Sequence, residues 1–413
     1  MPRPGKTRLA GMIAATAICA AGTSQAQTAS PVINNQIQLG DVFATQTLDV
    51  VSVQEGVGLE TTATGNSAAG SVVGTDMSVI SNQTMAASAR ATTTVNATGS
   101  LGAASQINTT ATGNAASVYA EQGTVTGVLT QIATYSPDVT ARGYVEAPTG
   151  RAGDLGVATT AVSNSAGINL VNGSAGVRVN QSSAADVLAD GGATVQYVSG
   201  TANVSGVAAG NSVALVGTNT SAARIATSQV NTSNLVQASQ FTAYGNAQTA
   251  RTSAQASGNI VGAVNDGPLL DVASNQYNQA YVRAQAEGSA YQFGEGVVDA
   301  NAVGNSVLAG DNGEAVVLDN VQVNTGGGVE AIASFTGHEG YDAYSRATAI
   351  ANDVTAYSCS ACVGSMNVNN RQTNDADVGA DARTTITGSA RSVNSTATAI
   401  GNNANFFVSR PGS

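Results

Sequence analysis

Small apolar and polar residues exchange places at period two through much of this chain. The segment Val282-Arg283-Ala284-Gln285-Ala286-Glu287-Gly288-Ser289-Ala290 shows the pattern plainly, and segments 89–97, 139–147 and 193–199 behave alike. Period two sends successive side chains to opposite faces of an extended backbone, so each segment predicts a β-strand with one face turned inward. Helix is poorly supported. The chain is rich in Gly, Asn, Thr and Val and lacks stretches of Leu, Glu and Lys.

A longer period runs over this alternation. Asn66, Asn114, Asn211, Asn259, Asn305 and Asn402 each follow a glycine, with degenerate copies at Ser163-Asn164 and Ala351-Asn352, and the intervals are 48, 50, 47, 48, 46, 47 and 50 residues. A second column keeps the same step. Gln83, Gln131, Gln181, Gln276 and Gln322 lie 17 residues after their asparagines, Gln229 lies 18 after, Gln372 lies 20 after, and Gln36 stands one period before Gln83. Two markers in one register identify a repeat array.

Strands in an array predict an all-β fold, a parallel β-helix or β-solenoid of about eight 48-residue repeats, forming a single repeat domain over 27–413. The competing arrangement is an antiparallel sandwich of 48-residue units. It is disfavoured by the few hairpin signals, which are Asn172-Gly173, Asn312-Gly313, Asp190-Gly191 and Asp266-Gly267. At roughly 20–25 residues per coil, each repeat would hold two coils. About 16 coils then make a rod on the order of 75 Å long.

This arithmetic bears on the repeated amides. They could form the side-chain ladders of cross-β stacks, or Asn could punctuate a turn, with left-handed backbone at the Gly-Asn step, while Gln sits at a corner. Two coils per repeat separate equivalent amides by roughly 9.6 Å, beyond hydrogen-bond reach, which favours turns.

Composition makes stacking the main source of stability. With 47 glycines, no Trp and 4% aromatic residues, large side chains are scarce, whereas stacked coils need only narrow residues inside.

The N-terminus carries an export signal. Arg3, Lys6 and Arg8 precede an apolar run from Leu9 to Ala21 and a small-x-small site at Ser24-Gln25-Ala26, predicting a signal peptide over 1–26 cleaved after Ala26. A lipoprotein reading on Cys19 lacks the small residue expected before it. Cleavage takes three of the 15 basic residues and none of the 26 acidic ones, so the net charge moves from −11 to −14 and no lysine remains. That balance argues against nucleic acid as a partner. Cys359 and Cys362 remain, and in an oxidising compartment they predict a short loop disulfide.

Chemistry-bearing constellations are few. His338 is the sole histidine and reads as an exposed loop residue, which leaves no Ser-His-Asp or Cys-His arrangement around it. Asp375, Asp377 and Asp381, then Asp311, Glu314 and Asp319, are the densest carboxylates, and they read as solvated turns and strand faces. Asp311-Asn312-Gly313-Glu314 lacks the spacing of a calcium loop. No catalytic, metal-binding or cofactor-binding residue is assigned, and no cofactor is expected.

The texture of the repeats carries a resemblance. Thr61-Thr62-Ala63-Thr64-Gly65-Asn66, Thr109-Thr110-Ala111-Thr112-Gly113-Asn114 and Ala397-Thr398-Ala399-Ile400-Gly401-Asn402 coincide at their Thr, Ala, Gly and Asn positions. With the export signal and the lysine-free remainder, they resemble the HfaD family of holdfast anchor proteins of stalked alphaproteobacteria. The resemblance implies a non-enzymatic anchor or adhesin at the outer membrane and cell surface, which fixes an adhesive polysaccharide, the holdfast. Its implied partners are that polysaccharide adhesin, a curli-like surface protein and an outer-membrane secretion pore. Self-association stays open beside them. A fibre-forming functional-amyloid subunit and a polysaccharide-active β-helix enzyme remain the alternatives.

Overall fold

The structure, a computed structural model, describes residues 29–359 and 364–409. The predicted signal peptide and cleavage site, Cys19 and Cys362 lie outside the described residues, so the expected pairing of Cys359 with Cys362 does too. Within them the chain is all β, and every strand pairs in parallel with its counterpart one repeat away.

Each coil opens with a strand on a first face. These strands are β1 (Ser30–Gln38), β4 (Met77–Met85), β7 (Thr124–Ala133), β10 (Ser174–Ser183), β12 (Ala222–Asn231), β14 (Leu269–Asn278), β16 (Ala315–Thr325) and β18 (Ser365–Asp375), stacked in that order. A second face holds β2 (Val42–Val50), β5 (Ala89–Ala97) and β8 (Asp138–Ala152), and a third holds β3 (Gly58–Val73), β6 (Ala104–Glu121) and β9 (Asp154–Val171). From the fourth coil the second and third faces fuse into single long strands: β11 (Asp186–Thr218), β13 (Leu235–Asn265), β15 (Tyr281–Asp311) and β17 (Val329–Cys359). The last coil divides again into β19 (Val378–Ser389) and β20 (Ser392–Ser409), both paired to β17.

The parallel β-solenoid is therefore as expected, but its coil count is not. Asn66 pairs with Asn114 and Gln36 with Gln83 on directly adjacent strands, so one repeat makes one coil, not two. Eight coils at about 4.8 Å give a rod on the order of 35 Å long, half the expected length. The coil is wide because the third face is long. Its first half packs on the second face through residues such as Val95, Ile107, Val145 and Leu155, and its second half packs on the first face through Val118, Val125, Leu129 and Ile168.

Between these two apolar cores the strand changes phase. In β6 the inward residues are Ile107, Thr109 and Ala111 before the step and Ala116, Val118 and Ala120 after it, while Gly113 and Asn114 both turn inward. Two successive inward residues are the mark of a bulge, here stacked coil on coil. The end of the first-face strand presses on this point: a Cβ on Gly65 would meet Gln38 Oε1 at 2.0 Å, and one on Gly258 would meet Asn278 Oδ1 at 2.4 Å. At Gly65, Gly113, Gly210, Gly258 and Gly304 there is no room for a side chain, and the φ angle at these steps is not positive. The left-handed residues Gly74, Gln122, Asn172 and Asn219 stand elsewhere, at the corner leading from the third face to the next coil.

Candidate functional site

The structure brings both amide columns indoors. Asn66 Nδ2 donates to Asn114 Oδ1 at 2.7 Å, and the series continues through Asn164, Asn211, Asn259, Asn305 and Asn352 to Asn402 with distances of 2.7–2.9 Å. Each donor asparagine spends its second N–H on a first-face carbonyl of the following coil, Ile132 O at 3.0 Å for Asn114 and Val230 O at 2.9 Å for Asn211. The turn reading of these asparagines is thereby corrected. One coil per repeat sets equivalent amides a strand spacing apart, within reach of a direct ladder.

The glutamines form a second ladder of opposite sense, which likewise replaces the corner reading. Gln83 Nε2 donates back to Gln36 Oε1 at 2.8 Å, and Gln131, Gln181, Gln229, Gln276, Gln322 and Gln372 each donate back to the glutamine one coil earlier at 2.7–2.9 Å. Their second N–H reaches a third-face carbonyl, as in Gln131 to Ser165 O at 2.8 Å. The Asn series runs its N–H bonds toward the C-terminus and the Gln series toward the N-terminus. Together they tie the first face to the third and each coil to its neighbours, with the inner members almost fully removed from water. Such chains of hydrogen bonds strengthen cooperatively.

Ion pairs repeat the theme outside. Arg90–Asp138, Arg142–Asp190, Arg224–Asp271, Arg251–Glu295, Arg283–Glu330, Asp299–Arg346 and Asp342–Arg391 each join one coil to the next. Most are exposed, so each adds little.

The carboxylates singled out from the sequence do not converge. Among the described residues no group of three or more His, Cys, Asp or Glu side chains is gathered for a metal ion. Asp311 departs from the solvated reading. It occupies an inward column with Leu170 and Asn265, is fully buried, and accepts hydrogen bonds from Asn265 Nδ2 at 3.3 Å and Ala315 N at 3.0 Å. Burial pushes its carboxyl pKa up, opposed by these bonds. A raised folded-state pKa contributes stability below the unfolded value that is lost as pH rises through the folded one. Asp311→Asn should therefore flatten the fall in melting temperature across that acid range, measured by thermal denaturation from pH 3 to 7.

A surface feature emerges at the corner between the second and third faces. Pairing shifts register there between Val198 and Thr201 and between Gly337 and Glu339, and such irregularities re-aim side chains. The result is an open groove of about 560 Å³ whose lining includes Tyr197, Asn246, Gln248, Gln292, Glu339 and Tyr341. Tyr197 and Tyr341 are 48% and 62% exposed. Nearby Tyr291 stacks on His338, with ring centroids 4.6 Å apart and planes inclined by 20°, and Thr387 Oγ1 holds His338 Nδ1 at 2.9 Å. His338 thus lies in strand β17 and packs against a ring, correcting the exposed-loop reading. The Arg391 guanidinium stands 5.6 Å from the Tyr341 ring centroid and pairs with Asp342, whose carboxyl it holds below the usual range.

Sequence reasoning missed this groove. Its aromatics come from different repeats and do not share one phase, so the 48-residue period does not align them. The available signal was the cluster of large polar residues around 196–199, 246–248, 291–295 and 338–342, the same stretch of successive repeats.

The comparison with known proteins follows this architecture. No curated protein and no solved structure matches the chain. The family model for holdfast attachment protein D matches residues 51–328, from β3 through β16 and two thirds of the sequence. The chain belongs to the holdfast attachment protein D (HfaD) family.

Proposed function

We propose that this rod is a non-enzymatic anchor that fixes an adhesive polysaccharide to the outer membrane, with a curli-like surface protein and an export pore as its protein partners. The family match supports a role in holdfast attachment, and the aromatic corner is the observation that favours direct sugar contact. Exposed rings beside amide and carboxylate groups suit a polymer whose repeating rings offer an apolar C–H face and a rim of hydroxyls. The groove crosses several coils, so successive sugars meet successive rows of side chains. Weak contacts repeated along a tethered polymer add up through effective concentration.

Replacing Tyr291 and Tyr341 by alanine should weaken binding of purified holdfast polysaccharide by about five- to tenfold per ring, roughly 1–1.5 kcal/mol each, with an unchanged melting temperature. Equal retention of polymer by the double variant would reject the corner as the contact. Polymer length should not change on incubation with the protein. Cells lacking the protein should shed an adhesive that is still sticky, and cells that keep it would reject the anchor itself.

A further inference from the structure

The two ends of the rod are unlike each other and complementary. At the N-terminal end β1, β2 and β3 each pair on one edge only, and at the C-terminal end the same holds for β18, β19 and β20 among the described residues. Among the described residues no segment covers either end. Asn405-Phe406-Phe407-Val408 is part of the terminal strand β20, and Phe406 and Phe407 are 44% and 59% exposed. Open parallel edges of this kind are templates for a further strand.

The ladders say which strand fits. Because the Asn series donates forward, the first coil presents Asn66 Oδ1 as an acceptor and the last coil presents Asn402 Nδ2 as a donor, neither atom used in the ladder among the described residues. Because the Gln series donates backward, the first coil presents a spare N–H on Gln36 Nε2 and the last coil presents Gln372 Oε1 as an acceptor. Two N-terminal ends, or two C-terminal ends, would not match in this way.

We propose that the protein assembles head to tail with further copies of itself, the first coil of one stacking on the last coil of another. Extending the register by one step sets Asn402 on Asn66 and Gln372 on Gln36 of the next copy. Asn402 also reaches the carbonyl of Ile37, as Asn352 reaches Thr373 O within the chain. The apolar rows continue as well. Val378, Ala380 and Ile386, half-covered at one end, meet Val42, Ala44 and Val50, half-covered at the other. Phe406, the largest side chain of its column, falls on Gly70, the smallest. A like-charge contact of Asp377 on Asp41 repeats Asp138 on Asp186 inside the rod. Such a heterologous contact does not close on itself, so it propagates into a filament. The inference is independent of the sugar-binding reading.

The test uses the purified full chain in sedimentation velocity and electron microscopy. The wild type should form rods that lengthen with concentration in steps of one molecule. Asn402→Asp puts carboxylate oxygens where Asn66 Oδ1 and Ile37 O need a donor, and Gln36→Glu does the same opposite Gln372 Oε1. Each should raise the concentration needed for assembly by roughly a hundredfold or more, while melting as the wild type does. Mixed together, the two variants should form dimers and nothing longer, since each keeps one competent end. A wild type that stays monomeric at every concentration would overturn the proposal. So would Asn402→Asp or Gln36→Glu polymerising like the wild type, or either variant forming dimers alone.

Discussion

Asn211→Ala should destabilise the rod by about 3–6 kcal/mol. Three buried groups lose their partners at once: Asn164 Nδ2 loses its acceptor, and Asn259 Oδ1 and Val230 O lose their donor. An unsatisfied buried polar group costs about 1–3 kcal/mol, and these three lie deep between two cores. Asn211→Asp should be as damaging at neutral pH despite its shape. It can still accept from Asn164, but it sets a carboxylate against Asn259 Oδ1 and the Val230 carbonyl, so its variant should recover stability as acid protonates it. The same substitution at the end, Asn402→Ala, breaks a single internal bond at an exposed position and should cost less than about 1.5 kcal/mol. Chemical denaturation of the three variants measures the contrast. Equal losses at Asn211 and Asn402 would mean that the ladder is not cooperative and contributes by local contacts only.

Position along the rod therefore matters more than residue type, and this is where sequence and structure divide. The period of the Asn and Gln columns and the alternation in segments such as 282–290 identified stacked strands, because both follow from one side chain pointing in for each one pointing out. How many coils fill a period does not follow from either. The deciding fact is that equivalent residues such as Asn66 and Asn114, or Gln36 and Gln83, pair on directly adjacent strands, each repeat spreading its 48 residues over three faces of one wide coil. Once the coil count halves, the amides change from surface punctuation to buried ladders. Asp311 was hidden for a related reason. A carboxylate is expected in water, but its column is inward, and its bonds to Asn265 and the Ala315 amide hold it there.

The ladders also explain why the surface can vary while the spine repeats. Inward columns are filled by Ala, Val and amides whose dimensions must match those of the coils above and below, so their spacing is held. Outward columns meet only solvent and the neighbouring side chain, which is why tyrosines, arginines and acids are distributed among them without a common phase. A groove built from the outward set, at a corner where register shifts, is free to change without disturbing the stack.

Gly258→Val should cost more than about 3 kcal/mol, while Gly262→Ala, four residues along the same strand, should be neutral or stabilise by about 0.4–1 kcal/mol. At Gly258 a Cβ would lie 2.4 Å from Asn278 Oδ1 and 2.5 Å from the Gly304 carbonyl of the next coil, so a branched side chain drives the step apart and breaks the Asn259 ladder beside it. At Gly262 nothing lies within 4 Å of the added carbon and φ is not in the left-handed region, so alanine mainly reduces the freedom of the unfolded chain. Other coils show how the step tolerates bulk. Ser163 occupies the glycine column where the facing residue is Ser183, small enough for their hydroxyls to bond at 2.9 Å, in place of Asn231, Asn278 or Asn324. In that coil bulk at the step is exchanged with bulk on the first-face strand. Adding Asn278→Ser to Gly258→Val should recover at least part of the loss, a coupling that a double-mutant cycle by thermal and denaturant unfolding reads directly. If Asn278→Ser simply adds its own penalty, the clash that keeps glycine in the repeat lies with the Gly304 backbone and not with the facing amide.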